Sequence, residues 1–523
     1  MVGGWIRRGV AACVAHPCGM AATLFALALI PILSTPVLPL IDFTNHLARF
    51  YVLAHHDSSA LLQNNYEVHW SLIPDIAGDL LGMPLLRILP PLIAGHLIVI
   101  GTLAVLYGGV LYLNHALTGR VSILVAALAL PLLYSYILNW GFINFLLGLG
   151  FAFWGAAWWL RNRRFVRFAV PVSCGFAILI FFAHGVAFAL YGIMLVGFEA
   201  GIFLGKDRRR IGQFIHRLAL VAVQAVMPVL FFLYWRLVAV AVKGPHLAAT
   251  HATPGASVPA GHFSLYRLGT ILRVEESPAY WFDAATLLLQ IAILGGLVWQ
   301  GRVRVAVIAR PLLVAAGLLI LIMPSMMFGA WYISDRIPLF AALLLVATLS
   351  RPPGRTARRE SIAYGVLGAV IVARLSFIAV DWHGYGDRFR EFQSVASAIA
   401  PGSRVAGIAI GGGHHDTHAP RCEMYLPLLI ALNGQVGPIF SDKSLHPLAL
   451  AGGLKSVDAR LHQLAPVPPD ENTRDFNSYI TAAFAAGYDY VLACNVQIPA
   501  RAFPARFPVD ARTAHFALIG AAP

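Results

Sequence analysis

The sequence predicts a mainly α-helical fold: a polytopic membrane bundle of about eleven transmembrane helices, followed by a small α/β domain. Of the 523 residues, 59% are hydrophobic and only 12% are charged, whereas soluble proteins carry about 25% charged residues. Apolar runs long enough to cross a bilayer recur as far as residue 380 and then stop. The net charge of +14 comes largely from arginines clustered between these runs, which indicates membrane topology and not a nucleic-acid partner.

Each predicted span is an apolar run close to the roughly 20 residues that a membrane helix needs. The first run follows Trp5, Arg7 and Arg8 and shows no small-residue cleavage site, so we expect a retained helix and not a signal peptide. Two of the runs, 121–136 and 337–350, are short. The full set of predicted spans is 19–40, 90–113, 121–136, 139–160, 166–184, 186–204, 217–241, 282–300, 306–329, 337–350 and 361–380.

Lysines and arginines are unevenly distributed among the predicted loops. If the N-terminus is cytoplasmic, the basic excess falls on the cytoplasmic loops near residues 115, 162, 208, 303 and 355, as the positive-inside rule requires. An odd number of spans then places the C-terminus outside. We therefore expect a multi-pass protein of the bacterial inner (plasma) membrane, with a periplasmic or extracellular C-terminal domain.

The composition changes near residue 384, so we predict a transmembrane domain over 1–383 and a soluble extracytoplasmic domain over 384–523. The second segment alternates between amphipathic and short apolar stretches, which is typical of a small α/β domain. The predicted helices are 387–400, 425–432 and 476–486, and the predicted strands are 404–410 and 488–493.

The first outer loop begins with IDFTNHLARF, directly after the first span. In a helix, Asp42 and His46 are neighbours at i and i+4, and Arg49 lies one turn further on the same side. A carboxylate at this place can take a proton from a hydroxyl, and an arginine can bind a phosphate. The structural alternative is a solvated helix start with Asp42 as its N-cap. Later in the loop, residues 71–89 have the spacing of a helix that lies along the membrane surface.

Two asparagines enter an otherwise apolar segment, LNWGFIN, at the predicted outer face. Polar groups at that depth are costly unless they have partners. Asn139 and Asn144 therefore either line a polar cavity or form hydrogen bonds between helices. His184 occupies a tight outer turn between two spans and is a further candidate for the same cavity.

Arginines inside predicted spans are functional candidates by default. Arg236 and Arg374 are of this kind, although Arg236 is close enough to a span end to extend to the interface. Asp335 and Arg336 precede the tenth span, where they either pair with each other or leave Arg336 to contact a phosphate. Further acidic residues, Glu275 and Glu276, fall in an outer loop.

A histidine-rich run, GGGHHDTH at 411–418, is followed by Cys422 and Glu423. These residue types can bind metals, but their spacing matches no standard site, so we assign no metal ligands. Cys422 and Cys494 are the cysteines of the predicted outer domain, and a disulfide between them is an open alternative because an outer compartment can be oxidising.

The motif IDFTNHLARF, followed later by NWGFINFLLGLG, resembles a group of bacterial membrane proteins related to the GT-C superfamily of glycosyltransferases. The resemblance extends to the many spans, the acidic residue after the first of them, a surface helix in the first loop and a soluble outer domain. It implies a GT-C-like fold and a polyprenyl-phosphate-linked sugar as donor. Two features depart from the family pattern: Phe43 follows Asp42 where many members carry a second acid, and Glu275, Glu276 and Asp335 compete for a second acidic motif.

Two interpretations follow. The first is an inverting glycosyltransferase that transfers sugar to an envelope glycan, lipid or protein acceptor. It has Asp42 as base, with His46, Arg49, Asn139, Asn144, His184, Arg236, Asp335 and Arg336 as substrate-binding candidates. The second is a non-catalytic transporter, flippase or assembly protein for envelope polysaccharide. Transporters often contain paired repeats and interrupted helices at the midplane, which this sequence does not show, so the enzyme is favoured. No cofactor is required by the sequence, although a divalent metal stays open because the acidic pair is incomplete.

Overall fold

The computed structural model describes residues 17–206, 210–243, 265–326, 331–352, 358–409, 422–439, 446–465, 476–494 and 507–521. Its residues divide into two compact units. The first unit comprises Met1–Pro31, Ile100–Leu138 and Ile143–Ile378, and the second comprises Ile32–Val99, Asn139–Phe142 and Ala379–Pro523.

Every predicted span corresponds to a helix. Among the described residues, seven helices are long and apolar enough to cross a membrane, and others are apolar but shorter. The number eleven therefore stays a prediction, while the polytopic membrane bundle is confirmed. The helices at the predicted spans are Pro17–Ala28 with Ile30–Leu33, Pro91–Thr118, Ile123–Leu133, Ile143–Asn162, Val166–Ala183, Gly185–Lys206, Ile211–Lys243, Tyr280–Trp299, Arg310–Ile322, Ile333–Ala347 and Arg358–Ala396.

Small residues and a buried ion pair hold the first unit together. The Gly150 position lies so close to the helix that contains Leu106 that an added Cβ would stand 2.8 Å from the Leu106 nitrogen. Close backbone approach of this kind is how membrane helices associate without a hydrophobic driving force. Elsewhere in the unit the buried carboxylate of Glu199 accepts a hydrogen bond from Trp159 and pairs with Arg163. Two short strands, β2 (Arg304–Val305) and β3 (Leu349–Ser350), pair antiparallel.

The second unit contains the loop that follows the first predicted span as well as the C-terminal part of the chain. Its loop residues form the first-loop helix (Phe43–His55), a short helix (Ala60–Asn65), strand β1 (Tyr66–Val68) and the surface helix (Ala77–Ile88). Strand β1 pairs antiparallel with β5 (Leu448–Leu450), and the buried Tyr66 hydroxyl donates to the carbonyl of Gly437 at 2.8 Å. The loop and the C-terminal segment therefore share one core, which includes Val52, Tyr66, Ile430 and Leu454.

The predicted α/β character of the C-terminal part is confirmed by a four-stranded sheet in the order β4-β6-β8-β7, while the domain bounds 384–523 stay a prediction. Strand β4 (Val405–Ala409) is parallel to β6 (Tyr490–Cys494), and β8 (Phe516–Gly520) is antiparallel to both β6 and β7 (Val509–Arg512). The buried residues of β6 and β8 pack with the helix Phe476–Ala486. The remaining helices of this part are Cys422–Asn433 and Gly452–Leu464.

One helix differs from the sequence-based expectation. The predicted span 361–380 and the predicted amphipathic helix 387–400 are parts of one helix, Arg358–Ala396, because Gly384 and Gly386 between them do not interrupt it. An added Cβ at Gly386 would lie 3.2 Å from the ring of Pro36, so this glycine accommodates a close neighbour inside the helix.

Candidate functional site

Asp42 lies at the start of the first-loop helix. It occupies the N-cap position of this helix, as the structural alternative expects, but its backbone has helical angles and its side chain makes no capping hydrogen bond. The residue is partly exposed, in contrast to its neighbours Ile41 and Phe43, which are buried. Asp42 is therefore an acidic group at the surface of a rigid element.

The two sequence motifs that carry the family resemblance contact each other. The backbone N–H of Ile41 donates to the carbonyl of Asn139 at 3.0 Å, and that of Asp42 donates to the carbonyl of Trp140 at 2.9 Å. Gly141 follows with a φ of +80°, and an added Cβ there would lie 2.6 Å from the nitrogen of Phe43. The segment Asn139–Phe142 thus fixes the backbone of Asp42 from the side.

Arg49 is fully buried and forms an ion pair with Asp79 of the surface helix. Its Nε lies 2.7 Å from one carboxylate oxygen of Asp79 and its Nη2 lies 3.4 Å from the other. Nη2 also lies 3.0 Å from Nδ1 of His46. The predicted neighbours His46 and Arg49 are therefore in contact, and the guanidinium is held by a carboxylate that the sequence did not single out. Asp79 lies within the predicted surface helix 71–89, and in the structure it is in the first turn of the helix Ala77–Ile88.

Burial dominates the protonation of this cluster. It lowers the pKa of His46 well below 6.5, and the Arg49 charge acts in the same direction. The pKa of His446, which comes from the C-terminal segment, is lowered by burial and by Arg49 and His46. Burial raises the pKa of Asp79, while Arg49 opposes this effect. Because a buried guanidinium without a counter-ion is very unfavourable, we take Asp79 to be ionised.

In the first unit, His184 and Arg336 form a second polar cluster. Nη1 of Arg336 lies 3.0 Å from Nε2 of His184, and the backbone N–H of Val186 donates to Nδ1 of His184 at 3.1 Å. A cationic guanidinium and an imidazole are therefore in direct contact in this cluster.

The remaining outer candidates of the first unit are also buried or paired. Asn144 is 6% exposed and Asp335 is 5% exposed, and the Ser334 hydroxyl donates to Asp335 at 3.0 Å. Arg273 and Glu276 form an ion pair at 2.9 Å, and Arg273 lies over the ring of Tyr136 at 3.7 Å.

Arg236 differs from these residues in its exposure. It is exposed on the helix Ile211–Lys243, next to Trp235 and between exposed Tyr234 and Leu237. That position is typical of an arginine that extends from a lipid-facing surface to the interface.

Glu275 and Arg374 are brought together although they are far apart in sequence. Arg374 Nη1 lies 2.7 Å from Asp283, and its Nε lies 3.4 Å from Glu275. Burial raises the pKa of Glu275 to about 7, while Arg374 and Gln290 act in the opposite direction. Glu275 is 1% exposed, so it is not accessible to a substrate in this structure.

The histidine-rich run 411–418 lies outside the described residues, as does the side chain of Cys422. Cys494 takes part in a disulfide bond, while Cys18 and Cys174 are free; the pairing of Cys494 with Cys422 stays a prediction. Within the described ranges, no group of three or more His, Cys, Asp or Glu side chains is arranged to hold a metal ion.

Comparison with known proteins gives a match at the level of structure. The chain is similar to ArnT from Cupriavidus metallidurans bound to undecaprenyl phosphate, with a TM-score of 0.50 and 15% identity over 96% of this chain and 98% of that one. It is similar to the apo state of the same protein with a TM-score of 0.49 and 14% identity over 96% and 97%. No protein-family model matches the sequence, and no curated protein does. The chain therefore has a polytopic membrane fold like that of ArnT, and the polytopic helical bundle predicted from its sequence is confirmed.

Proposed function

We propose that the protein is a membrane glycosyltransferase. It transfers a sugar from a polyprenyl-phosphate-linked donor to a hydroxyl of an envelope glycan, lipid or protein acceptor at the outer face of the membrane. The fold shared with ArnT bound to undecaprenyl phosphate supports this class of donor. Fold likeness by itself does not determine activity, so the proposal depends on the residues.

The observation that carries the proposal is the placement of Asp42. It is partly exposed and its backbone is fixed by Trp140. In contrast, Asp79 and Glu275 are 1% exposed and pair with buried arginines, and Glu276 pairs with Arg273. A catalytic base must reach a substrate hydroxyl and must be held in place by its surroundings. Asp42 meets both conditions.

The reaction assigned to Asp42 is a single displacement. Asp42 accepts the proton of the attacking hydroxyl as its oxygen bonds to the anomeric carbon of the donor. The bond between that carbon and the phosphate oxygen breaks, and polyprenyl phosphate leaves with the bonding electron pair. Inversion at the anomeric carbon is the expected stereochemical result of one displacement.

The leaving phosphate needs positive charge and hydrogen-bond donors. Arg336 and His184 are candidates for this role, because Arg336 is a cation and its Nη1 lies 3.0 Å from Nε2 of His184. Asn139, Asn144 and Asp335 are candidates for sugar or acceptor hydroxyls. For Arg49 the ion pair with Asp79 and the contact with His46 favour a role in holding His46 over direct phosphate binding.

The test replaces Asp42 by Asn, which keeps the size of the side chain and removes the base. Purified protein is incubated with a panel of undecaprenyl-phosphate-linked sugars, and release of undecaprenyl phosphate is measured with and without candidate acceptors. We expect turnover to fall at least about 10²-fold, with undecaprenyl phosphate binding retained. Asp57→Asn is the matched control, because Asp57 belongs to the same loop and its side chain is 95% exposed.

Full turnover by Asp42→Asn would remove Asp42 from the mechanism. Movement of the intact lipid-linked sugar across a vesicle membrane, without cleavage of its phosphate bond, would favour the flippase alternative instead.

A further inference from the structure

Arg374 is buried within the longest helix of the structure, Arg358–Ala396, and is 1% exposed. Its Nη1 donates to Asp283 at 2.7 Å and to the hydroxyl of Thr286 at 2.8 Å, and its Nε faces Glu275 at 3.4 Å. Because the side chain is fully enclosed by the protein, it cannot contact a substrate. Its function must be exerted through the residues that it holds.

Those residues fix a turn, 273–277, that precedes the helix Tyr280–Trp299. The Gln290 amide donates to both oxygens of Glu275 at 2.8 Å, and the backbone N–H of Ser277 donates to Asp283 at 2.7 Å. The turn is thereby attached at both Glu275 and Ser277 to a buried network that has Arg374 as its cation.

Arg273 and Glu276 belong to the same turn and connect it to other parts of the first unit. The side chains of Arg273 and Glu276 are 22% and 10% exposed, and Arg273 interacts electrostatically with Asp335, the neighbour of Arg336. The turn also bonds to the segment before Leu138, since Glu276 N–H donates to the Tyr134 carbonyl at 2.9 Å and Tyr136 N–H donates to the Arg273 carbonyl at 3.2 Å.

We propose that Arg374 is a positioning residue: it holds Glu275 and Asp283 together, fixes the 273–277 turn, and so sets where Arg273 and Glu276 stand in the candidate site. The catalytic consequence rests on the proposed function, whereas the effect on the turn does not. Two buried carboxylates share this one guanidinium, so its loss leaves uncompensated negative charge that only displacement of the turn or uptake of protons can relieve.

The test uses Arg374→Lys in the full-length protein. Lysine keeps the positive charge but lacks the planar guanidinium group, whose several N–H donors contact Asp283, Thr286 and Glu275 at the same time. Mass spectrometry measures the rate of hydrogen–deuterium exchange in peptides that cover residues 270–279. Turnover is measured with the same panel of undecaprenyl-phosphate-linked sugars. We expect exchange in this turn to be at least about tenfold faster and kcat to fall at least about tenfold, with KM for the donor nearly unchanged.

Arg163→Lys is the matched control, because Arg163 pairs with another buried carboxylate of the first unit, Glu199, and has no contact with the turn. It should lower thermal stability without changing exchange at 270–279 or kcat per folded molecule. A purely structural role for Arg374 would give the same result as this control and would overturn the proposal.

The remaining outcomes are also decisive. Unchanged exchange in Arg374→Lys overturns the proposal, and so does faster exchange with unchanged kcat. If the wild-type protein transfers no sugar from any donor, the proposed function fails, and the exchange measurement alone then decides whether Arg374 fixes the turn. Should Arg374→Lys fold poorly, Glu275→Gln provides the second variant, since it removes one attachment of the turn and must raise exchange there.

Discussion

Gly141 shows how a single residue determines the position of the candidate base. Its φ of +80° is in the region that residues with a Cβ rarely adopt. The backbone nitrogen of Phe43 would lie only 2.6 Å from a Cβ at this position. A side chain at this place must push away the residue that follows Asp42. The carbonyl of Trp140, which accepts from Asp42 N–H, would move with it.

We therefore expect Gly141→Ala to be harmful although the change is small. The positive φ alone should cost about 1–2 kcal/mol, and the close approach adds to it, so the thermal midpoint in detergent and the turnover should both fall. Gly101→Ala is the control, because Gly101 lies in the helix Pro91–Thr118 with open space around it and alanine favours a helix. Equal midpoints for both variants would show that Gly141 does not constrain Asp42.

Some residue contacts could be predicted from the sequence and others could not. The contact of His46 with Arg49 follows from helical spacing and is present at 3.0 Å. The hydrogen bonds from Ile41 and Asp42 to Asn139 and Trp140 could not be predicted, since they are formed by backbone atoms, which are the same in every residue. Their only signal in the sequence is Gly141.

At the scale of elements, the surface helix is attached to the first-loop helix by a buried ion pair. The side chains of Arg49 and Asp79 are 0% and 1% exposed. Because neither charge is hydrated, each depends on the other, and removal of one leaves the partner without compensation. On its opposite side the surface helix exposes Leu80, Leu81 and Ile88, as expected for a helix at the membrane surface.

Asp79→Asn should therefore destabilise the second unit by about 3–5 kcal/mol, seen as a lower thermal midpoint of the purified protein. The double variant Arg49→Met, Asp79→Leu should recover most of this loss, because it removes both charges and fills a similar volume. Glu67→Gln is the control, since Glu67 pairs with His69 where both side chains are more than 40% exposed, at 44% and 49%, and exposed pairs contribute little. A midpoint for Asp79→Asn equal to that of the control would show that Arg49 finds compensation elsewhere.

Helices and strands could be predicted where the bilayer or water requires a simple pattern of apolar residues. The spans follow from the length of apolar sequence that a bilayer requires, and strands β4 and β6 follow from short apolar runs in polar surroundings. Strands β1 and β5 were not predicted, because each has only three residues and β1 finds its partner in Leu448–Leu450. The continuation of the helix through Gly384 and Gly386 was also missed, since glycine often ends a helix.

At the scale of the whole molecule, the chain distributes its charge in the pattern that orients membrane proteins. Arginines cluster in short loops between apolar helices, and such loops remain cytoplasmic because translocation of Lys and Arg is disfavoured. The structure defines the helices but contains no membrane, so the orientation is a separate prediction. It matters for function, because the proposed acceptors and Asp42 must be on the same, outer side.

The orientation can be tested by cysteine labelling of the full-length protein in intact cells. Arg210 and Lys455 are both exposed in the structure, and we predict that they lie on opposite sides, Arg210 with the basic loop near 208 and Lys455 in the C-terminal domain. In a background with Cys13, Cys18 and Cys174 replaced by serine, a membrane-impermeant maleimide should label Lys455→Cys directly. Arg210→Cys should react only after the membrane is permeabilised. Labelling of both positions in intact cells, or of neither, would contradict the predicted topology. Labelling of Arg210→Cys alone would place the C-terminal domain and Asp42 in the cytoplasm. A transferase that works at the outer face could not act there.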